Sequence, residues 1–231
     1  MRSVLDFLAA NKFCLPPFAY WSPDEWKQKG PEVAEIIENQ LGWDIIDFGS
    51  GDFSKSGLFL FTIRNGKLAD VPKGGKSYAE KVLISSENQI TPMHFHYSKM
   101  EDIINRGGGV LVTRLYNSTP DAKLAKTPVT VSLDGVKRTF EAGAVVEIGR
   151  GESITMPPRL YHSFWGKAGT GTVLIGEVSS VNDDTVDNKF VEHVVRFDAI
   201  EEDEPPLHLL YQDYAKFLNV PSITRTERKK K

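Results

Sequence analysis

Apolar positions follow two periods along this chain. Up to about residue 44 they recur at helical spacing. Leu5 and Leu8 mark a short helix over 3–10, and Ser22-Pro23-Asp24-Glu25 has the form of a capping box, with Ser22 at the cap, Pro23 at the first helical position and Glu25 reaching back. Gly30-Pro31 opens another helix with Val33, Ile36, Ile37 and Leu41 on one face, and Gly42 closes it. From about Ile45 the period shortens. β-rich runs follow at 58–63, 81–85, 110–116, 129–133, 136–140, 144–148, 153–156, 172–178 and 190–197, separated by Asn65-Gly66, Asp134-Gly135 and glycine pairs. Asp134-Gly135, set between Leu133 and Val136, predicts a tight hairpin with positive φ. So many strands with few intervening helices argue for an antiparallel double-sheet barrel rather than alternating β-α units. After the acidic stretch 201–204 and two prolines, Leu207, Leu210, Tyr211, Tyr214 and Leu218 return to helical spacing and predict a closing helix. The expected organisation is a single domain: a helical extension over 1–44, a β-barrel over 45–200, a helical segment over 201–224 and a basic tail over 225–231.

Composition narrows the setting. The 231 residues are 40% hydrophobic and 26% charged, which suits a folded, soluble domain. No run of about 18 apolar residues is present, so no membrane span is expected. The N-terminal apolar stretch is broken by Asp6 and Lys12 and lacks a small-residue cleavage site, which argues against a secretory signal. The single cysteine, Cys14, has no internal partner, so the cytoplasm is the expected compartment. A net charge of −3 gives no ground for a nucleic-acid partner. The basic tail reads as a solvated terminus.

The chemistry concentrates in two segments. In 91–109 (TPMHFHYSKMEDIINRGGG), His94 and His96 are two apart, so on a strand their imidazoles project from one face, and Glu101 follows after a short loop. In 151–166 (GESITMPPRLYHSFWG), His162 follows a Gly…Pro turn. A lone strand histidine is more commonly a hydrogen-bonded core residue. Here three of the five histidines fall in these two segments, and with Glu101 they form a candidate site for a divalent transition metal. His193 and His208 lack such company and read as structural.

The same residues carry a family resemblance. His94-x-His96-x4-Glu101-x6-Gly108 resembles the first cupin motif, and Gly151-x5-Pro157-x4-His162 the second, with Arg159 where a glycine is usual and Gly166 where an asparagine is usual. The resemblance implies a mainly-β, cupin-type double-stranded β-helix (jelly-roll) barrel, flanked by the N-terminal helices and a C-terminal helix. More closely, 91–109, GEVSSVNDDTVDNKF (176–190), EEDEPP (201–206) and LPPFAYWSPDEW (15–26) are similar to the D-lyxose ketol-isomerase family. That similarity implies His94, His96, Glu101 and His162 as metal ligands, Mn²⁺ as the usual metal and a free sugar as substrate, with D-lyxose and D-xylulose, and D-mannose and D-fructose, as pairs. The cupin resemblance implies a homodimer, and Co²⁺ or Fe²⁺ would suit the same ligand count.

Aldose–ketose exchange moves hydrogen between C1 and C2, and a divalent cation stabilises the charge that develops on oxygen. A six-coordinate ion on four protein ligands keeps two positions for sugar oxygens, whereas a tetrahedral zinc site would be full. Proton transfer needs a positioned acid or base. Lys99, two residues before Glu101, is one candidate, either neutralising charge or exchanging a proton through a lowered pKa; Glu204, on a segment that could cross the barrel mouth, is another. Asp184, Asp187 and Arg159 are candidate sugar contacts, while strand alternation turns Tyr161 away from the side of His162. Among Trp21, Trp26 and Trp43, at least two read as core residues, although one could close the pocket. Gly107-Gly108-Gly109 lacks the lysine of a phosphate loop. Two competing readings are a metal-dependent oxidase or dioxygenase on the same ligands and a non-catalytic sugar-binding module.

Overall fold

The protein is described here from a computed structural model covering residues 1–181, 183–195 and 204–218. The expected tail over 225–231, the end of the closing segment and the far end of the 190–197 strand lie outside the described residues.

The N-terminal region folds into α1 (Arg2–Ala10), α2 (Pro23–Lys27) and α3 (Ala34–Glu38), with 3₁₀ turns at Pro17–Tyr20 and Pro31–Val33. The capping box of α2 forms as expected: the Ser22 amide donates to Glu25 Oε2 at 2.7 Å, and the Glu25 amide donates to Ser22 Oγ at 3.2 Å. The helix expected from Gly30 to Leu41 is shorter. Its first turn is 3₁₀, α3 stops at Glu38, and Gln40 and Gly42 take φ of +56° and +123°.

Thirteen strands follow: β1 (Gly42–Ile46), β2 (Leu58–Arg64), β3 (Tyr78–Ser85), β4 (Thr91–His96), β5 (Glu101–Gly108), β6 (Leu111–Asn117), β7 (Val129–Leu133), β8 (Val136–Phe140), β9 (Val145–Ile148), β10 (Ser153–Met156), β11 (Leu160–Gly166), β12 (Val173–Ser180) and β13 (Asn188–Phe190). Asp134 and Gly135 join β7 to β8 with φ of +48° and +82°, the positive pair expected there. A 3₁₀ turn at Tyr211–Asp213 leads into α4 (Tyr214–Phe217), a single turn where a longer helix was expected.

The strands form two open sheets, one of order β1-β2-β3-β12-β5-β10-β7-β8 and one of order β13-β4-β11-β6-β9. This corrects the expectation of a closed jelly-roll barrel. Closure requires the first and last strands of a sheet to pair, and among the described residues neither β1 with β8 nor β13 with β9 does so. Alternation and turn residues report that strands exist; pairing between edges is non-local and leaves no such mark.

The sheets pack face to face. Leu60, Leu83, Ile103, Ile154 and Ile175 of the larger sheet meet Leu111, Leu115, Ile148 and Phe164 of the smaller. In the larger sheet, β2, β3 and β12 are buried on both faces. Their outward residues Phe59, Phe61, Val82, Ile84 and Leu174 pack under Leu8, Leu15 and Ala19 of the N-terminal region, so these strands read as near-continuous apolar runs. Trp43 of β1 lies in this outer layer and donates from Nε1 to the Ala19 carbonyl at 2.8 Å. Trp26 stacks on Tyr214 at 4.1 Å between ring centroids, tying α2 to α4. Tyr214 seats over β1 because residue 42 is glycine: a Cβ there would fall 1.9 Å from the tyrosine hydroxyl.

Candidate metal centre

Between the sheets the apolar filling gives way to a recess of about 490 Å³, its open mouth included. The smaller sheet supplies three imidazoles. His94 on β4 lies directly across from His162 on β11, and His96 projects from the same face of β4 two residues on. The ligating nitrogens all lie within 4.8 Å of one another, and all three side chains are buried. Burial, with His162 adding to it, pushes His94 down to about 3, and burial likewise holds His96 well below the ordinary histidine range. Both therefore stay neutral, the state a metal ligand needs. The carbonyls of Pro92 and Leu160 stand 2.8 and 3.1 Å from Nδ1 of His94 and His162. Accepting from Nδ1–H, they fix the tautomer whose Nε2 lone pair points inward.

The larger sheet supplies charge. Glu101 opens β5, and its Oε1 lies 3.2 Å from His162 Nε2 and 3.5 Å from His96 Nε2. That oxygen is buried and has no hydrogen-bond partner. A carboxylate oxygen facing two imidazole lone pairs is repulsive unless a cation lies among them, so these residues fit a divalent metal ion. The other Glu101 oxygen accepts from Lys99 Nζ at 2.6 Å, and Lys99 donates in turn to Glu177 Oε1 at 2.9 Å. Burial alone would raise Glu101 and lower Lys99. Their mutual attraction outweighs it, with Glu177 and Asp184 aiding Lys99, so Glu101 is held well below the carboxylate range and Lys99 is raised. Lys99 is thus a fixed ammonium, against the expectation of a lowered pKa. The chain of charges continues through Lys81, 3.6 Å from Glu177 and 3.1 Å from Asp184.

Not every expected site residue comes to this recess. Asp184 lines it. Asp187 is buried behind it, where Oδ1 accepts from the Ser98 amide and hydroxyl and Oδ2 from the Lys99 amide. Arg159 lies outside: its turn has φ of +64°, which swings the guanidinium over Phe95 and Tyr97 and onto the Thr119 and Pro120 carbonyls. Tyr161 also faces outward, as alternation predicts, and donates to the Ala122 carbonyl. Glu204 sits at the surface, paired with Arg2 at 3.2 Å. No tryptophan lines the recess.

Sequence reasoning missed Glu177 and Lys81. The signal was available: in β12, Glu177 falls in phase with Val173 and Ile175, and in β3, Lys81 falls in phase with Leu83. A charged residue at a core-facing position of an apolar strand is costly unless something uses it.

Comparison with known proteins agrees with this arrangement. A family model described as D-lyxose isomerase matches residues 1–214. The chain is 49% identical over 219 residues to a D-lyxose/D-mannose isomerase of Serratia proteamaculans, covering 94% of this chain and 96% of that one. It is 46% identical over 212 residues to a D-lyxose/D-mannose isomerase of Escherichia coli O157:H7, covering 91% and 93%. Among solved structures, L-ribose isomerase of Cellulomonas parahominis with L-ribose matches at a TM-score of 0.53 and 15% identity, covering 82% of this chain and 88% of that one, a likeness of fold alone. With an extended match to the family model, two relatives near half identity and a buried histidine cluster suited to a divalent ion, the chain belongs to the D-lyxose isomerase family and is a sugar isomerase.

Proposed function

We propose that the protein interconverts D-lyxose with D-xylulose and D-mannose with D-fructose, using Mn²⁺ held by His94, His96, His162 and Glu101. One observation carries the reading: a buried histidine cluster and the Glu101–Lys99–Glu177 ion-pair chain face each other across one recess. The substrates follow from the relatives. The donor set favours an ion taking six ligands, such as Mn²⁺, Fe²⁺ or Co²⁺, which keeps places for two sugar oxygens after three imidazoles and a carboxylate have bound, and the family resemblance favours Mn²⁺ among them. When bound, the ion supplies a Lewis acid for the carbonyl oxygen and its neighbouring hydroxyl.

The chain's own groups then carry the proton. Glu177, paired with Lys99 and Lys81, takes the proton from C2 of the aldose and, after exchange with solvent, delivers a proton to C1, while the O2 hydroxyl proton passes to O1 as the carbonyl moves to C2; the reverse direction uses the same group. Lys99 keeps its proton and meets the charge that develops on oxygen. Asp184, at the far side of the recess, accepts from sugar hydroxyls. The single cysteine and the family resemblance support a cytoplasmic homodimer built from one domain.

Purified protein loaded with Mn²⁺ should convert D-lyxose to D-xylulose without consuming oxygen, lose activity in EDTA and recover it on reloading. In D₂O the product should carry deuterium at C1. Absence of turnover on every pentose and hexose after reloading would overturn the reading. The oxidase alternative has no support in the relatives.

A further inference from the structure

Beside the main recess lies a second, smaller chamber of about 290 Å³ including its mouth; Leu60, Lys81 and Asp184 line both. Its remaining polar wall comes from Asp44, Thr62, Asn65 and Gln40. Asp44 and Thr62 face the interior on strand parity, in phase with Ile46 and Leu60 of the core. Register makes the placement more specific. On the inner face of the larger sheet, Lys81 stands opposite Glu177 on one side and Thr62 on the other, while Asp44 stands opposite Leu60. A polar band therefore runs from Glu101 through Glu177 and Lys81 to Thr62 and Asp44, past the groups that the proposed chemistry uses. Asp44 is only 2% exposed, and Asn65 6%.

The distances suit a sugar chain. Side-chain steps of 2.6, 2.9 and 3.6 Å lead from Glu101 through Lys99 and Glu177 to Lys81, so the Lys81 ammonium lies within reach of a sugar chain held at Glu101. An extended six-carbon chain reaches roughly 6–7 Å from C1 to its last carbon at ordinary C–C lengths, about one bond further than a pentose. The end that reaches the Lys81–Asp184 pair is the end at which hexose and pentose differ.

We infer that this second chamber seats the terminal hydroxymethyl group of six-carbon substrates and sets the preference between hexose and pentose. The inference rests on the sugar-isomerase reading above and adds a specificity role for Thr62 and Asp44. Filling the chamber with Thr62→Ile, which keeps a β-branched side chain on its strand, should lower the ratio of kcat/KM for D-mannose to that for D-lyxose about tenfold. The isosteric Asp44→Asn should shift the ratio in the same direction by less, and its volume match keeps the test valid if Thr62→Ile folds poorly. Calorimetric binding of two unreactive alditols, D-mannitol and D-arabinitol, should show the same loss on the six-carbon compound. Equal changes for both chain lengths, or none, would overturn the inference. A wild-type enzyme that turns over neither sugar would overturn the parent reading, and the alditol binding ratio would still decide the role of the chamber.

Discussion

The two sheets bring opposite chemistry to one recess. The smaller sheet presents three buried imidazoles, each oriented by strand position and two of them by backbone carbonyls. The larger sheet and the loops at its end present a chain of ion pairs, alternating in sign from Glu101 through Lys99 and Glu177 to Lys81 and Asp184. Glu101 is where they meet, with one oxygen toward the histidines and the other toward Lys99. Burial explains the division. An imidazole taken out of water sheds its proton and becomes a ligand, whereas carboxylates and ammonium groups stay ionised in the interior only by pairing. One sheet is thereby suited to holding a cation and the other to moving a proton.

That comparison can be broken one side at a time. The largest effect is expected from the smaller sheet: His162→Ala should remove bound metal, measured by elemental analysis, and activity with it. Full metal content in this variant would mean that His162 is not among the groups that hold the ion. On the other side, Lys99→Met strands Glu101 as a buried charge without its ammonium partner, leaves Glu177 to Lys81 alone, and should lower the unfolding free energy by about 3–5 kcal/mol in denaturant titration. An unchanged midpoint would show that the charges are not coupled as described.

A pH titration of the metal-free protein separates the sheets without mutation. His94 sits near 3 when folded and at the ordinary value of 6.5 when unfolded. Between those values the unfolded chain binds a proton that the folded chain does not. Stability should therefore fall as pH drops below about 6.5, by up to about 1.4 kcal/mol per pH unit for each such histidine. Glu101, lowered from 4.5, adds its loss only below that value. A stability curve flat from pH 6.5 to 4.5 would contradict neutral, buried imidazoles. The smallest effect is expected from Asp187→Asn. Its amide nitrogen cannot accept from the Lys99 amide, so the turn that aims Lys99 loosens, and kcat should drop about tenfold with metal content retained.

The two halves were unequally legible in the sequence. His94 and His96 were readable because i, i+2 spacing on a strand is local, and His162 because a glycine and a proline frame its turn. Glu177 and Lys81 carry a weaker mark, one charged residue in an apolar run, which has meaning only once both strands are known to lie in the same sheet. Arg159 looked pocket-facing from its distance to His162, but a positive-φ turn reverses its direction. Glu204 lay in an acidic run that gave no hint of its surface partner, Arg2. Barrel closure was the least legible feature, since it depends on edges far apart in the chain. β1 and β5 were likewise missing from the apolar runs, because the buried polar residues Asp44, Glu101 and Asn105 interrupt the alternation.

The division of labour is tested most directly by measuring bound Mn²⁺ and kcat together on Glu177→Gln. This exchange keeps the volume of the side chain and removes its ability to take a proton. We expect metal bound as in the wild type, with kcat on D-lyxose reduced by ~10²–10⁴. A variant that keeps its turnover, or that loses its ion, would contradict the separation of metal binding on one sheet from proton transfer on the other.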